Sequence, residues 1–106
     1  MAKTSLKNLS PLDLDAIALR FRALGEPSRL SLLRALQERE RNVSDLVEIT
    51  GLTQPNVSRH LSILVGAALV GRRKDGANVL YRIIDESLSE MCELVCRSVL
   101  EKRRTR

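Results

Sequence analysis

A short polar stretch, residues 53–62, carries the side chains with the clearest chemical potential in this sequence. Gln and Asn can bond adenine bidentately, Arg can bond guanine or phosphate, and Ser or Thr can bind backbone oxygens. Val57, Leu61 and Leu64 recur at helical spacing and predict the buried side of the same helix. The outward positions are Gln54, Asn56, Ser58, Arg59 and Ser62. This stretch therefore predicts a helix that presents its polar side to a duplex.

A second group of basic residues follows, with Arg72, Arg73 and Lys74 before a turn and Arg82 after it. Cations on a β-hairpin beside such a helix can reach phosphates or the minor groove. We expect both groups to contact DNA. The predicted contact residues are Thr53, Gln54, Asn56, Ser58, Arg59, His60, Arg72, Arg73, Lys74 and Asn78.

Cys92 and Cys96 are the two cysteines of the sequence and lie four positions apart in a helical pattern. At this spacing β-carbons are roughly 5 to 6 Å apart, whereas a relaxed disulfide needs about 3.8 Å, so a direct disulfide would be strained. Two thiolates can instead bind a soft ion at about 2.3 Å from each sulfur. Three roles stay open: binding of arsenite, antimonite or a soft metal ion as inducer, oxidation or persulfidation, and packing as small hydrophobes.

Length and charge limit the classes of protein. The 106 residues suffice for one domain, and 18 basic against 13 acidic residues give a net charge of +5, which suits a polyanionic partner. No apolar run reaches the roughly 18 residues of a membrane span, and reduced thiols suit the cytoplasm, where we expect this protein. One histidine and no Gly-rich phosphate loop argue against an enzyme.

The start of the chain predicts two helices. Ser10 is a cap before a helix over 11–24, Gly25 ends it, and Glu26-Pro27 begins the next one. The residues expected to face inward are Leu14, Ile17, Ala18 and Phe21 in the first helix and Leu30, Leu33 and Leu36 in the second.

Two shorter helices follow. Asn42 caps the third, which ends at Gly51, and Thr53 caps the fourth, which ends near Gly66. A short helix, a turn with glycine and a capped helix make the unit that fits a major groove. The residues expected to face inward in the third helix are Val43, Leu46, Val47 and Ile49.

The pattern then changes to two β-prone runs, 70–74 and 79–84, joined by a turn at 75–78. Residues 87–90 resemble a capping box that opens a last helix. One face of it is expected to carry Leu88, Met91, Cys92, Val95 and Val99. The predicted fold is mainly α with a small β-hairpin, in the order ααααββα, a winged helix-turn-helix.

Residues 52–61, LTQPNVSRHL, closely resemble the recognition helix of the ArsR/SmtB family of winged-helix repressors. Residues 23–30 are similar to the family's segment at the start of the second helix, and 72–81 to its wing. The resemblance covers about residues 12–100. It implies a homodimer through the first and last helices that occupies operator DNA and dissociates when an inducer binds.

The inducer sites usual in that family are missing. Arsenic-sensing members carry thiols in a stretch like 40–46, where this sequence has Asn42 and Ser44. Zinc-sensing members use Asp, His and Glu on the last helix, and this last helix has no histidine. The resemblance therefore leaves Cys92 and Cys96 as candidate ligands, and it implies a structural or phosphate-contacting role for His60.

The expected organisation is a flexible arm at 1–10, a DNA-binding and dimerisation domain at 11–101, and a basic tail at 102–106. The first hypothesis is a dimeric repressor whose operator affinity is switched by chemistry at Cys92 and Cys96. The alternative is an ArsR-like regulator with no small-molecule inducer, in which both cysteines are structural.

Overall fold

The structure, a computed structural model, describes residues 6–104. Five α-helices and one antiparallel hairpin follow a short 3-10 turn at Leu6–Asn8. This is the predicted winged helix-turn-helix order. The elements are α1 (Pro11–Leu24), α2 (Pro27–Glu38), α3 (Val43–Thr50), α4 (Gln54–Gly66), β1 (Val70–Asp75), β2 (Asn78–Ile83) and α5 (Leu88–Arg104).

Side-chain caps fix where the first four helices begin. Ser10 and Asp13 form a reciprocal capping box, with the Asp13 N–H donating to Ser10 Oγ at 3.1 Å. Asn42 accepts from the third N–H of α3 and Thr53 from that of α4, as the sequence predicts. The arm predicted for residues 1–10 contains the turn at 6–8, and residues 1–5 lie outside the described residues.

The core lies between α2, α3, α4 and β1, and Leu88 of α5 joins it. Leu30 was predicted to face inward but is 45% exposed, because the buried side of α2 runs through Leu32, Leu33 and Leu36. The inward prediction for Ile49 is also wrong, since only Leu46 of α3 is fully buried. On α1, Ala23 is buried and Ile17 and Leu24 are half-buried, whereas the other large apolar side chains are exposed: Leu12, Leu14, Leu19 and Phe21.

A left-handed glycine produces the turn of the helix-turn-helix unit. Gly51 has φ of 76°, a conformation that side chains with a Cβ rarely adopt, and its N–H donates to Val47 O. The chain reaches Thr53, the cap of α4, two residues after Gly51. The predicted stop for α3 at Gly51 is thus confirmed.

The hairpin closes through the two-residue loop Gly76-Ala77, between the Asp75 and Asn78 pair of the strands. Gly76 takes φ of 65°, as the first position of a type II′ turn requires. Tyr81 exchanges two backbone hydrogen bonds with Arg41, so the hairpin is anchored to the chain between α2 and α3.

Helix α5 makes few contacts with the rest of the chain. The predicted capping box is absent, because the Ser87 hydroxyl donates to Asp85 at 2.6 Å instead. Within α5, Leu88 alone is buried, and Met91 and Cys92 are half-buried. The helix continues to Arg104, so the described part of the predicted basic tail is helical. Among the described residues, no helix is long and apolar enough to cross a bilayer.

Candidate nucleic-acid interface

The first turns of α4 form an exposed polar surface. Gln54, Ser58 and Arg59 are exposed, and Asn56 is half-buried. Val57, Leu61 and Leu64 are fully buried on the opposite side and hold α4 against α2 and α3. Thr53 stands at the start of the helix and accepts from the Asn56 N–H at 3.3 Å, and the helix dipole favours a phosphate at this end.

His60 lies apart from this surface, although it belongs to the same sequence motif. Its residue exposure is 8%, and its Nδ1 is 3.2 Å from a terminal nitrogen of Arg29 on α2. A side chain in this position cannot reach a base edge without leaving its partner. Its place in the structure corresponds to the structural alternative that the resemblance implied.

The basic residues of the hairpin divide between two faces of the strand. Arg72 and Lys74 are two positions apart and share one face, whereas Arg73 points to the other. Arg73 makes a bidentate pair with Glu40, at 2.9 and 3.0 Å. These hydrogen bonds hold the pKa of the Glu40 carboxyl below its usual range. Arg72 and Lys74 are thus available to phosphates, while Arg73 is already neutralised.

Asn78 is exposed at the turn of the hairpin, and its Oδ1 accepts from Asn42 at 3.5 Å. The contact joins the tip of the hairpin to the residue that caps α3. The sequence did not identify Glu40 or Asn42 as partners of the hairpin, because each lies more than thirty positions from the residue that it contacts.

Cys92 and Cys96 line one groove of about 420 Å³ between α2 and α5. Apolar side chains of α2 and Leu88 of α5 line the groove together with Arg34 and Gln37. Cys92 is half-buried and packs against the core, whereas Cys96 is exposed. Both thiols therefore line the same groove, and Cys92 is more buried than Cys96.

Burial, and then the nearby Cys96, raise the pKa of the Cys92 thiol above its ordinary value. Cys92 thus stays protonated at neutral pH, and a reagent meets Cys96 first. Within residues 6–104, no three His, Cys, Asp or Glu side chains are grouped to hold a metal ion. The thiol pair by itself offers two ligands.

Comparison with known proteins shows that this chain is similar to bacterial regulatory proteins. A family described as "Bacterial regulatory protein, arsR family" matches residues 26–71. A "Probable mercury resistance operon repressor" of Streptomyces lividans is 40% identical over 80 residues, which cover 76% of this chain and 64% of that protein. This chain therefore spans less than two thirds of that repressor's length.

Two mycobacterial proteins are similar over more of their length. The HTH-type regulator Rv0081 of Mycobacterium tuberculosis is 35% identical over 83 residues, 77% of this chain and 72% of its own. The solution structure of the homodimeric winged helix-turn-helix domain of Mb0332 from Mycobacterium bovis superposes with a TM-score of 0.82. The two sequences are 29% identical, and the superposition covers all of this chain and 96% of the Mb0332 domain.

Proposed function

The chain belongs to the arsR family of bacterial regulatory proteins, and from this premise we propose that it is a dimeric repressor that binds double-stranded operator DNA. Family membership also supports the prediction that it is not an enzyme. The observation that carries the proposal is the exposed polar start of α4, which is capped, held from behind by buried apolar residues and flanked by Arg72 and Lys74.

A homodimer accounts for the apolar side chains that α1 and α5 leave exposed. Phe21 on α1 and Val95 and Leu100 on α5 are all more than half exposed in the single chain. Large exposed apolar patches mark interaction sites. A twofold pair would bury these faces and bring two copies of α4 to successive major grooves, about 34 Å apart.

The test of DNA binding is selection of duplexes from a randomised library by the purified protein, followed by affinity measurement against salt. We expect a near-palindromic consensus and an affinity that falls steeply with salt. A sample that enriches no sequence and shows no salt-sensitive affinity for any duplex contradicts the proposal.

We further propose that chemistry at Cys92 and Cys96 switches DNA affinity. Both thiols line the groove beside α2, and α2 packs against α4. A ligand that changes the packing of α5 on α2 can therefore change the orientation of α4. Arsenite, antimonite and soft metal ions suit two thiolates, with a third ligand, where needed, from the partner subunit. The name of the Streptomyces relative adds mercury to these ions.

The alternative is a regulator without an inducer, and the packing of Cys92 against the core favours it for that residue. One experiment distinguishes a thiol-switched repressor from a regulator without an inducer. Affinity for the selected duplex is measured with arsenite, mercuric ion or inorganic polysulfide, in the parent and in the Cys92→Ser, Cys96→Ser double variant. Release in the parent alone supports the switch, and equal responses of both proteins contradict it.

A further inference from the structure

Arg29 joins three helices at one point. Its Nε donates to Ala23 O at 2.6 Å and a terminal nitrogen donates to Arg22 O at 3.0 Å, so the side chain caps the C-terminal end of α1. Its other terminal nitrogen is 3.2 Å from Nδ1 of His60 on α4. Arg29 itself belongs to the first turn of α2.

The chemistry of the two groups fixes the direction of the Arg29–His60 hydrogen bond. A guanidinium has five donors and no acceptor, so Nδ1 of His60 must be the acceptor. The imidazole that fits this geometry is neutral and carries its proton on Nε2. A proton on Nδ1 would place two donors against each other and break the contact.

The other ring nitrogen faces a carboxylate. Nε2 of His60 lies 3.7 Å from Oε2 of Glu26, the residue that caps α2. Partial burial opposes ionisation of Glu26, but the N–H groups of Ser28 and Arg29 and the positive charge of Arg29 hold its pKa below its usual range. The charged side chains that the described structure places against the ring are thus Arg29 and Glu26, both at the start of α2.

The Arg29–His60 hydrogen bond is directional and restrains the rotation of α4, which apolar packing does not. Burial of Val57, Leu61 and Leu64 is favourable but non-directional, so it tolerates small rotations of the helix. A hydrogen bond weakens steeply when its angle changes. His60 directly follows Arg59, a predicted base-contacting residue, so the ring is attached where small rotations of α4 displace that side chain.

We propose that Arg29 and His60 are positioning residues for sequence recognition. Neutral His60 holds α4 in the orientation that lets Arg59 and Gln54 meet base edges, and protonation of the ring releases that hold. This inference rests on the proposed DNA-binding function. It predicts that discrimination between sequences, rather than attraction to DNA in general, depends on the state of the ring.

The test uses a duplex that the parent protein selects at about pH 8, together with a scrambled duplex of equal length and composition. The ratio of the two affinities is measured at about pH 8 and pH 5.5, the range in which histidine ordinarily changes charge. A new cation on the protein attracts both duplexes, and the ratio removes that effect. His60 is the single histidine of the sequence, so its protonation can be followed directly by NMR.

We expect acidification to lower the ratio for the parent about tenfold, a size typical of coupling between residues in contact. His60→Asn places an amide oxygen near the position of Nδ1 and does not titrate. It should keep most of the neutral-pH ratio and lose the dependence on pH. His60→Leu, which offers no acceptor, should show a low ratio at both pH values, and near-parent melting temperatures show that the variants are folded.

The outcomes separate the two proposals. If the parent selects no duplex, the proposed function fails. If it selects one and the ring protonates without lowering the ratio, the positioning role is wrong. If the ring stays neutral down to pH 5.5, the proposed release by protonation is wrong. An unchanged pH dependence in His60→Asn, or a parent-like ratio in His60→Leu, overturns it as well.

Discussion

The surface around α4 and the hairpin is held in place by contacts within the chain, whereas the face made by α1 and α5 has few such contacts. Helix α4 buries four of its residues, and the hairpin is tied by the Arg41–Tyr81 bridge. Helix α5 is the longest helix, yet it buries Leu88 alone and exposes apolar residues along most of its length. The first surface is complete in one chain, whereas the second leaves apolar side chains uncovered, as the proposed dimer would require.

This difference teaches that the two surfaces should fail in different ways. A substitution on the α4 surface should change which sequences are bound, because the helix stays in place. A substitution on the apolar face of α5 should remove the link between two half-sites, because it destroys the assembly. Three predictions test this contrast, in order of expected effect.

The largest effect is expected from Val99→Lys. It places a cation on the apolar face of α5, where burial of an unpaired charge in a dimer is costly. Sedimentation should show a monomer, and affinity for the selected duplex should fall by about 100-fold or more, because the linkage of two half-sites is lost.

Glu101→Lys is the matched control for Val99→Lys. It lies two positions further on, on the opposite side of the same helix, and makes the net charge still more positive. It should remain dimeric and bind at least as tightly as the parent. A dimeric Val99→Lys protein, or equal weakening of both variants, would show that this face of α5 does not hold the dimer together.

A smaller effect is expected from Arg59→Ala or Gln54→Ala. Each should weaken binding of the selected duplex by roughly 1 to 3 kcal/mol and relax the preference at the bases that it contacts. Arg39→Ala, which removes an exposed arginine just after α2, is the control and should have little effect. Equal loss on selected and scrambled duplexes would contradict a role in base recognition.

The smallest effect is expected at the Glu40–Arg73 pair. Glu40→Gln releases Arg73 for a phosphate, so affinity for any duplex should rise a few-fold and its salt dependence should steepen by about one counterion. Arg73→Gln should leave the salt slope near the parent value, because Glu40 already occupies this guanidinium in the parent. A parent-like slope in Glu40→Gln would contradict the release of Arg73, and a flattened slope in Arg73→Gln would show that Arg73 contacts a phosphate even while paired with Glu40.

Local sequence signals were sufficient for most element boundaries. Ser10, Gly51 and Thr53 act within one helical turn of their own positions, so their effects are readable without the fold. The turn at Gly76 is equally local. The fold class followed from the order of these signals.

Contacts between distant segments could not be read in this way. The sequence grouped His60 and Arg73 with the DNA-contacting residues because each lies among such residues in the chain. The structure pairs them with Arg29 and Glu40, at separations of 31 and 33 positions. No periodicity encodes such pairings, because they depend on how α2 packs against α4 and the hairpin. The inward side of α2 was misread at Leu30 for a similar reason, since several registers of an apolar stripe fit the sequence.

The weak attachment of α5 to its own protomer has a consequence for turnover in the cell. A lone chain can release this helix beyond its first turns at small cost, which exposes backbone to proteases and apolar surface to chaperones. The proposed dimer would remove that vulnerability by mass action. Newly made copies should therefore be degraded fastest when they are scarce, so that the cellular level responds to synthesis with a threshold.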